Sequence, residues 1–168
     1  MNETPYVLIG EDDETDVLFI KRAFARAGIP NPLVFVPDGL AAIEHLSQVK
    51  SNADAQLPAL FLIDMKMPRR NGLQVLQWMR EQPVICAIPV LVFSSSAHTG
   101  DIENAYEAGA NGFIIKPSST AERNEIALFI RSWLRIIQPS LAATDSFKIA
   151  LSYRNSRRSN EVLRKVEC

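Results

Sequence analysis

The segment YVLIGEDDETD, residues 6–16, joins a short apolar run to a glycine and then to a dense acidic cluster. The apolar run, residues 6–9, predicts a buried β-strand that ends before Gly10. After the acidic cluster, apolar side chains recur three and four positions apart, which predicts a helix over residues 15–28. The segment therefore predicts a strand and a helix joined by an acidic loop.

The same unit recurs along the chain. Short apolar runs alternate with amphipathic segments, and Gly, Pro or polar residues separate them. The later predicted strands are residues 33–36, 59–63, 89–93 and 112–115, and the later predicted helices are residues 39–49, 72–81, 99–108 and 120–137. This alternation predicts an α/β fold, a doubly wound five-stranded parallel sheet with helices on both faces, because each parallel crossover must return over the sheet.

The composition fits one globular unit with a short appendage. The chain has 168 residues, and its 18 basic and 19 acidic side chains give a formal net charge of −1. This balance argues against binding to nucleic acid through bulk positive charge. No apolar run is long enough to cross a bilayer, and the first residues lack the pattern of a secretory leader. We therefore expect a cytoplasmic protein without nucleic-acid or membrane partners.

The carboxyl ends of the predicted strands carry most of the polar chemistry. Glu11 and Asp12 follow the first strand, Asp64 follows the third, Ser94 the fourth and Lys116 the fifth. In open parallel sheets, ligands bind at the carboxyl ends of the strands, near the point where the strand order reverses. We expect these five side chains to meet in one pocket.

Such a pocket suits phosphoryl chemistry. The carboxylates of Glu11, Asp12 and Asp64 repel one another unless a cation lies among them, and oxygen ligands of this kind favour Mg²⁺. The Lys116 ammonium and the Ser94 hydroxyl can each bind a phosphate oxygen. Asp64 is the best candidate nucleophile because it stands alone at the end of the central strand, whereas Glu11 and Asp12 form a pair suited to holding metal.

Taken together, these residues resemble the receiver domain of two-component response regulators. The matching set is Glu11-Asp12, Asp64 with Met67-Pro68 and Gly72 after it, Ser94, and Lys116-Pro117. The resemblance covers about residues 5–138 and implies a flavodoxin-like sheet of order 2-1-3-4-5. It divides the chain into a receiver domain, residues 1–139, and a C-terminal extension, residues 140–168, that is too short for a DNA-binding output domain of common size.

The resemblance also implies the roles of the acidic residues. Asp64 would accept a phosphoryl group from a histidine kinase. Asp12 and Asp64 would bind Mg²⁺ directly, Glu11 would help through water, and the backbone carbonyl of Lys66 would be a further ligand. The protein would phosphorylate itself from the kinase and slowly dephosphorylate itself, and it would not be an enzyme with a separate substrate.

The remaining roles concern the switch. Ser94 would hydrogen-bond a phosphoryl oxygen, Lys116 would pair with that group, and Phe113 would be the switch aromatic. Ser94 stands where receivers often have Thr; the hydroxyl is kept, so switching is expected to survive. Lys66 and Ser96 border the path of the hydrolytic water in this resemblance, and their effect on the lifetime of the phosphoryl group stays open.

Two loops carry a narrower resemblance. The segment MPRRNG, residues 67–72, and the polar insertion at residues 50–58 look like those of small single-domain regulators that serve phytochrome-type histidine kinases. This narrower resemblance implies a bacteriophytochrome as the kinase partner.

The last predicted helix and the tail offer a surface for a second subunit. Apolar side chains cover a wider arc of that helix than the ~100° stripe that one packed face needs. The surplus residues, Phe129, Ile136 and Trp133, predict burial in a homodimer or under the tail; a helix buried broadly in its own fold is the alternative. Residues 147–153 alternate between apolar and other side chains, which is compatible with an extended arm or with a helix.

Two other functions compete with the receiver hypothesis. A phosphorylation-independent scaffold could act through the last helix and the tail, although the acidic pair and Lys116 argue against it. An FMN carrier shares the expected sheet, but the loop after the first strand lacks hydroxyls, and its carboxylates would repel the FMN phosphate.

Overall fold

The computed structural model describes residues 4–52 and 55–136, where five strands alternate with five α-helices. The strands are β1 (Val7–Gly10), β2 (Leu33–Val36), β3 (Leu60–Ile63), β4 (Val90–Ser94) and β5 (Gly112–Ile115). The helices are α1 (Glu14–Ala27), α2 (Gly39–Ser51), α3 (Gly72–Arg80), α4 (Thr99–Glu107) and α5 (Thr120–Ile136). A 3₁₀ helix that the sequence pattern does not predict, Ile85–Ala87, precedes β4.

All five strands are parallel and form one sheet of order β2-β1-β3-β4-β5, which confirms the predicted doubly wound α/β fold. Gly10 at the end of β1 pairs with both Val36 and Ile63, and Ser94 at the end of β4 pairs with Ile115. This register aligns the strand ends, so the loops after β1, β3, β4 and β5 lie at one edge of the sheet.

Some predicted boundaries are wrong by a small margin. Strand β1 extends to Gly10 because the glycine still pairs with the strands on either side. Strand β4 begins at Val90 because Pro89 has no N–H group to donate, and it continues to Ser94. The other predicted elements differ from the observed ones by no more than two residues at either end within the described part of the chain.

The N-terminus of α1 is fixed by the side chain of Asp13. Its Oδ1 atom accepts hydrogen bonds from the backbone N–H groups of Thr15 and Asp16, at 2.8 and 3.0 Å. An aspartate cap of this kind satisfies N–H groups that have no partner within the helix. The cap therefore determines which side chains of the first turn of α1 lie near the end of β1.

Two apolar layers cover the faces of the sheet. On one face, Leu8 and Phe61 belong to a buried layer that includes residues of α2, α3 and α4. On the other face, Ile9 and Leu62 belong to a layer that contains Phe24 of α1 and residues of α5. Consecutive residues of a strand face opposite ways, so both layers draw on the same short strands. Within the described residues, no helix is both long and apolar enough to cross a membrane.

Gly72 allows α3 to approach the end of β3. A Cβ atom at this position would lie 2.3 Å from the backbone oxygen of Asp64 and 3.0 Å from the Cα atom of Met65. The Gly72 N–H group donates a hydrogen bond to the Met65 carbonyl at 3.1 Å. The first residue of α3 thus packs directly on the loop that carries Asp64, and a side chain there has no room.

Replacement of Gly72 by alanine is expected to destabilise the fold by about 1–3 kcal/mol, since overpacking must displace the Asp64 backbone. The measurement is the free energy of unfolding in urea. Gly100→Ala is the matched control, because a Cβ atom at Gly100 would meet no atom within 4 Å and helix propensity favours alanine by about 0.5–1 kcal/mol. Equal stability of the two variants would contradict the close approach at Gly72.

Candidate functional site

The register of the sheet brings the loops after β1 and β3 side by side. The Asp64 N–H group donates to the Gly10 carbonyl at 2.9 Å, and the Glu11 N–H group donates to the Val36 carbonyl at 3.1 Å. Glu11 and Asp64 are 3% and 5% exposed, whereas Asp12 faces solvent. Two buried carboxylates at one edge require positive charge close by.

Lys116, the first residue after β5, supplies that positive charge. Its Nζ atom lies 2.8 Å from each of three carboxylate oxygens, Glu11 Oε2, Asp16 Oδ2 and Asp64 Oδ2. An ammonium group has three N–H donors, so these carboxylates use all of them. The Nζ atom also lies 5.7 Å from the centre of the Phe93 ring. The ammonium is therefore held in place by residues of α1 and β4 and by the residues that directly follow β1 and β3.

The acidic side chains also fit a metal ion. Glu11, Asp12 and Asp64 each offer one carboxylate oxygen, and these oxygens lie within 4.8 Å of one another. With Asp16 included, four carboxylates lie at this edge, and three of them contact the Lys116 ammonium. When all are ionised, the excess of negative charge and the oxygen donors suit a small divalent cation.

The pKa values of Glu11 and Lys116 are both raised, with opposite consequences for charge. The charged form of Glu11 is disfavoured, and the charged form of Lys116 is favoured. Burial raises the pKa of the Glu11 carboxyl above its ordinary value, and the nearby Lys116 only partly offsets this. Burial lowers the pKa of Lys116, but hydrogen bonds to Asp16, Asp64 and Glu11 outweigh it, and the pKa is raised above its ordinary value. The ammonium therefore stays charged at neutral pH, while the ionised form of Glu11 carries a cost of burial.

The hydroxyl at the end of β4 is buried and connects to α4. Ser94 Oγ accepts a hydrogen bond from the Ser96 N–H group at 3.2 Å, and Ser96 Oγ donates to the carboxylate of Asp101 in the first turn of α4. The Lys116 N–H group donates to the Ser94 carbonyl at 2.7 Å. Ser94 thus lies beside Lys116, and its hydroxyl is linked through Ser96 to the start of α4.

Two further residues of the predicted site are Lys66, two positions after Asp64, and Phe113, in β5. The Lys66 side chain is exposed, and its backbone N–H group donates to Asp64 Oδ1 at 3.1 Å. Phe113 pairs with Val92 and packs, partly buried, against the layer that contains Val92. A metal-binding role for the Lys66 carbonyl and a switch role for Phe113 stay predictions.

The structure brings together the predicted carboxylates and Lys116, with Ser94 adjacent, but the sequence analysis missed two of their neighbours. Asp16 binds Lys116, and Asp101 binds Ser96. Each is the third residue of a helix that follows a strand of the site. An acidic residue at that helix position is the signal that could have found them, because the first turn lies against the strand ends.

Comparison with known proteins agrees with this geometry. A family model described as the response regulator receiver domain matches residues 7–128. The probable methanogenesis regulatory protein FilR2 of Methanothrix harundinacea is 32% identical over 118 residues, which are 70% of this chain and 76% of FilR2. Response regulator Rcp1 of Synechocystis is 27% identical over 137 residues, which are 81% of this chain and 93% of Rcp1.

Solved structures give the same answer. The phosphorylated cyanobacterial phytochrome response regulator RcpA superimposes with a TM-score of 0.72 and 29% identity, covering 80% of this chain and 96% of RcpA. The Mn²⁺-bound form of Rcp1 gives a TM-score of 0.70 and 27% identity, covering 80% of this chain and 99% of Rcp1. The bacteriophytochrome response regulator RtBRR gives a TM-score of 0.65 and 27% identity, covering 95% of this chain and 99% of RtBRR. The chain therefore belongs to the response regulator receiver domain family, the signalling switches of two-component systems.

Proposed function

We propose that this receiver domain accepts a phosphoryl group on Asp64 from the phosphohistidine of a histidine kinase, with Mg²⁺ as cofactor. The observation that carries the proposal is the position of Lys116 Nζ, 2.8 Å from both Asp64 Oδ2 and Glu11 Oε2. An ammonium group in this place can bind an oxygen of a phosphoryl group on Asp64. Membership of the family supports a histidine kinase as the donor.

In the transfer step, a carboxylate oxygen of Asp64 bonds to phosphorus, and the bond between phosphorus and the donor imidazole nitrogen breaks. The bonding electrons leave with the imidazole, and Asp64 becomes an acyl phosphate. Lys116 and the Ser94 hydroxyl each donate a hydrogen bond to a phosphoryl oxygen. Water later hydrolyses the acyl phosphate, so the protein returns to its starting state without turning over a separate substrate.

The proposed metal ligands are Asp12 and Asp64 directly, Glu11 through water, and the backbone carbonyl of Lys66. When bound, Mg²⁺ supplies positive charge to the phosphoryl oxygens. The cluster of carboxylate oxygens within 4.8 Å of one another supports this set. The similarity to a structure described as the Mn²⁺-bound form of Rcp1 supports a divalent metal.

The proposed switch begins at Ser94. A phosphoryl group on Asp64 adds about −1.5 to −2 charge, which attracts the Ser94 hydroxyl. Movement of Ser94 opens space beside β4 that Phe113 can fill. The link from Ser96 to Asp101 supports transmission of this movement to the first turn of α4. The surface formed by α4, β5 and α5 would then differ between the two states.

The proposed kinase partner is a bacteriophytochrome. Two similar solved structures are described as phytochrome or bacteriophytochrome response regulators. The loop at residues 67–72 and the polar insertion at residues 50–58 add support from the sequence. We place the protein in the cytoplasm, where such kinases phosphorylate their regulators, and we propose neither nucleic acid nor a membrane as a partner.

We also propose a homodimer formed through α5 and the C-terminal arm. Phe129 and Ile136 are 60% and 76% exposed, which supports a partner for this side of α5. Trp133 is partly buried against the layer beneath α5. The arm, residues 140–168, lies outside the described residues, so its conformation and the boundary of the receiver domain at residue 139 stay predictions. The scaffold alternative gives no reason for three carboxylates to surround Lys116.

Replacement of Asp64 by asparagine is expected to abolish phosphorylation, because the amide is not a nucleophile for phosphorus at neutral pH. The measurement is the hydroxylamine-sensitive phosphate bound after incubation with a small phosphoramidate donor and Mg²⁺, read by intact mass. Glu14→Gln is the control and should label like the wild type, because Glu14 is an exposed acidic residue of the first turn of α1. Undiminished labelling of the Asp64 variant would reject the acceptor.

Replacement of Glu11 by glutamine is expected to stabilise the metal-free protein at neutral pH. Burial raises the pKa of Glu11, so its contribution to stability is fully present below its ordinary pKa of 4.5 and is lost as pH rises through the folded-state pKa. Glutamine does not ionise, so the variant does not lose this stability. The difference in the free energy of unfolding should vanish in acid, where Glu11 is protonated. The measurement is the free energy of unfolding in urea, without metal, at neutral and acidic pH. A wild type that is more stable than the Glu11 variant at neutral pH would contradict the prediction. Added Mg²⁺ should stabilise the wild type more than the variant.

The dimer is tested by light scattering with and without beryllofluoride, a mimic of the phosphoryl group. We expect the wild type to have the mass of a dimer in at least one state, and the double variant Phe129→Ser, Ile136→Ser to be monomeric in both. Leu18→Ser is the control, because Leu18 is 43% exposed on α1 and lines a groove with residues of β2 and none of α5. A double variant that dimerises like the wild type would exclude α5 from the interface.

A further inference from the structure

We infer that Asp16 is a positioning residue for the phosphoryl-transfer reaction: it fixes the Lys116 ammonium at the border of the metal set. The inference rests on the proposed function of Asp64. Lys116 divides its three N–H donors among Glu11, Asp16 and Asp64, each at 2.8 Å. Glu11 and Asp64 belong to the acidic group that can hold a metal, and Asp16 does not.

Among the residues that the structure describes, Asp16 is therefore the one carboxylate outside that group that contacts Lys116. A divalent cation and the Lys116 ammonium both seek the oxygens of Glu11 and Asp64. A third carboxylate, on α1, takes one of the three N–H donors, so the ammonium makes one hydrogen bond to each of those two carboxylates and leaves their other lone pairs for the cation. Removal of Asp16 leaves an unused N–H donor on Lys116 and only the two metal-binding carboxylates to hold it.

Asp16 is itself held in position. Its backbone N–H group donates to Asp13 Oδ1 at 3.0 Å, so the cap of α1 fixes the residue that carries the carboxylate. Its side chain is 29% exposed, compared with 2% for Glu11 and 7% for Asp64. Asp16 is thus the most solvent-exposed of these three carboxylates that contact Lys116.

The contact has a use after transfer as well. When Asp64 becomes an acyl phosphate, its oxygen loses the full charge that attracted Lys116. The Lys116 N–H group that bonded to Asp64 can then donate to a phosphoryl oxygen. Glu11 and Asp16 still hold the other two donors. The ammonium then faces the phosphoryl group without having to give up either contact, which keeps it oriented during the reaction.

The test measures Mg²⁺ affinity by calorimetry, and the rate of phosphorylation by a small phosphoramidate at saturating Mg²⁺. Asp16→Ala should lower each by about tenfold, as is typical when a group that orients a ligand is lost. Asp16→Glu should restore most of both, because a carboxylate can still reach Lys116. Glu14→Gln removes the same charge from the same turn without touching Lys116, and it should change each value by less than about twofold, since exposed charges are screened.

The outcomes separate the possibilities. If Asp16→Ala matches Glu14→Gln in both measurements, Asp16 is only a surface charge and the inference fails while the proposed function stands. If Asp16→Glu loses as much Mg²⁺ affinity and phosphorylation rate as Asp16→Ala, the carboxylate is not what matters and the inference is also overturned. If the wild type itself neither binds Mg²⁺ nor becomes phosphorylated, the proposed function fails and this inference fails with it. Urea unfolding of all variants checks that each remains folded under the assay conditions.

Discussion

One ammonium group balanced against several carboxylates is the constraint around which this receiver domain is arranged. Lys116 lies 2.8 Å from oxygens of Glu11, Asp16 and Asp64, which belong to the loop after β1, to α1 and to the loop after β3. The buried carboxylates of Glu11 and Asp64 would be costly in the folded state without such a partner. The arrangement depends on register: β1, β3 and β5 must end at the same level for their side chains to meet, and the parallel pairing of Gly10 with Ile63 ensures this for the first two.

The rest of the fold compensates for the crowding of negative charge at this edge. Two apolar layers, with Leu8, Phe61 and Ile9 fully buried, stabilise the sheet that carries the site. Close packing at Gly72 holds the backbone that carries Asp64. The site itself is a source of instability, because burial disfavours the ionised form of Glu11. In the proposed function, a bound divalent cation would offset this cost.

The sequence alone was sufficient to predict a doubly wound parallel sheet and the edge at which the candidate site lies, whereas the strand order came from the resemblance to receiver domains. Strand–helix alternation permits few arrangements, and a parallel sheet brings the residues after its strands to one edge, so Glu11, Asp64 and Lys116 were predictable from their places in the chain. Asp16 was not, because its orientation depends on where Asp13 caps α1, and a shift of one residue would turn it by about 100°. The contact between Ser96 and Asp101 depends in the same way on where α4 begins.

The two ends of α4 are held very differently, and this bears on how the switch can move. At its start, Asp101 binds Ser96, which in turn is bonded to the buried hydroxyl of Ser94. Just after its end, the Gly109 carbonyl accepts hydrogen bonds from Arg80 Nε and Nη2 at 3.1 and 2.7 Å. The same guanidinium binds backbone carbonyls that precede β4, so the end of α4 is tied to a part of the fold remote from Asp64. In the proposed switch, a displacement of Ser94 would therefore reach the first turn of α4 through Ser96, whereas the segment after the last turn is anchored to Arg80.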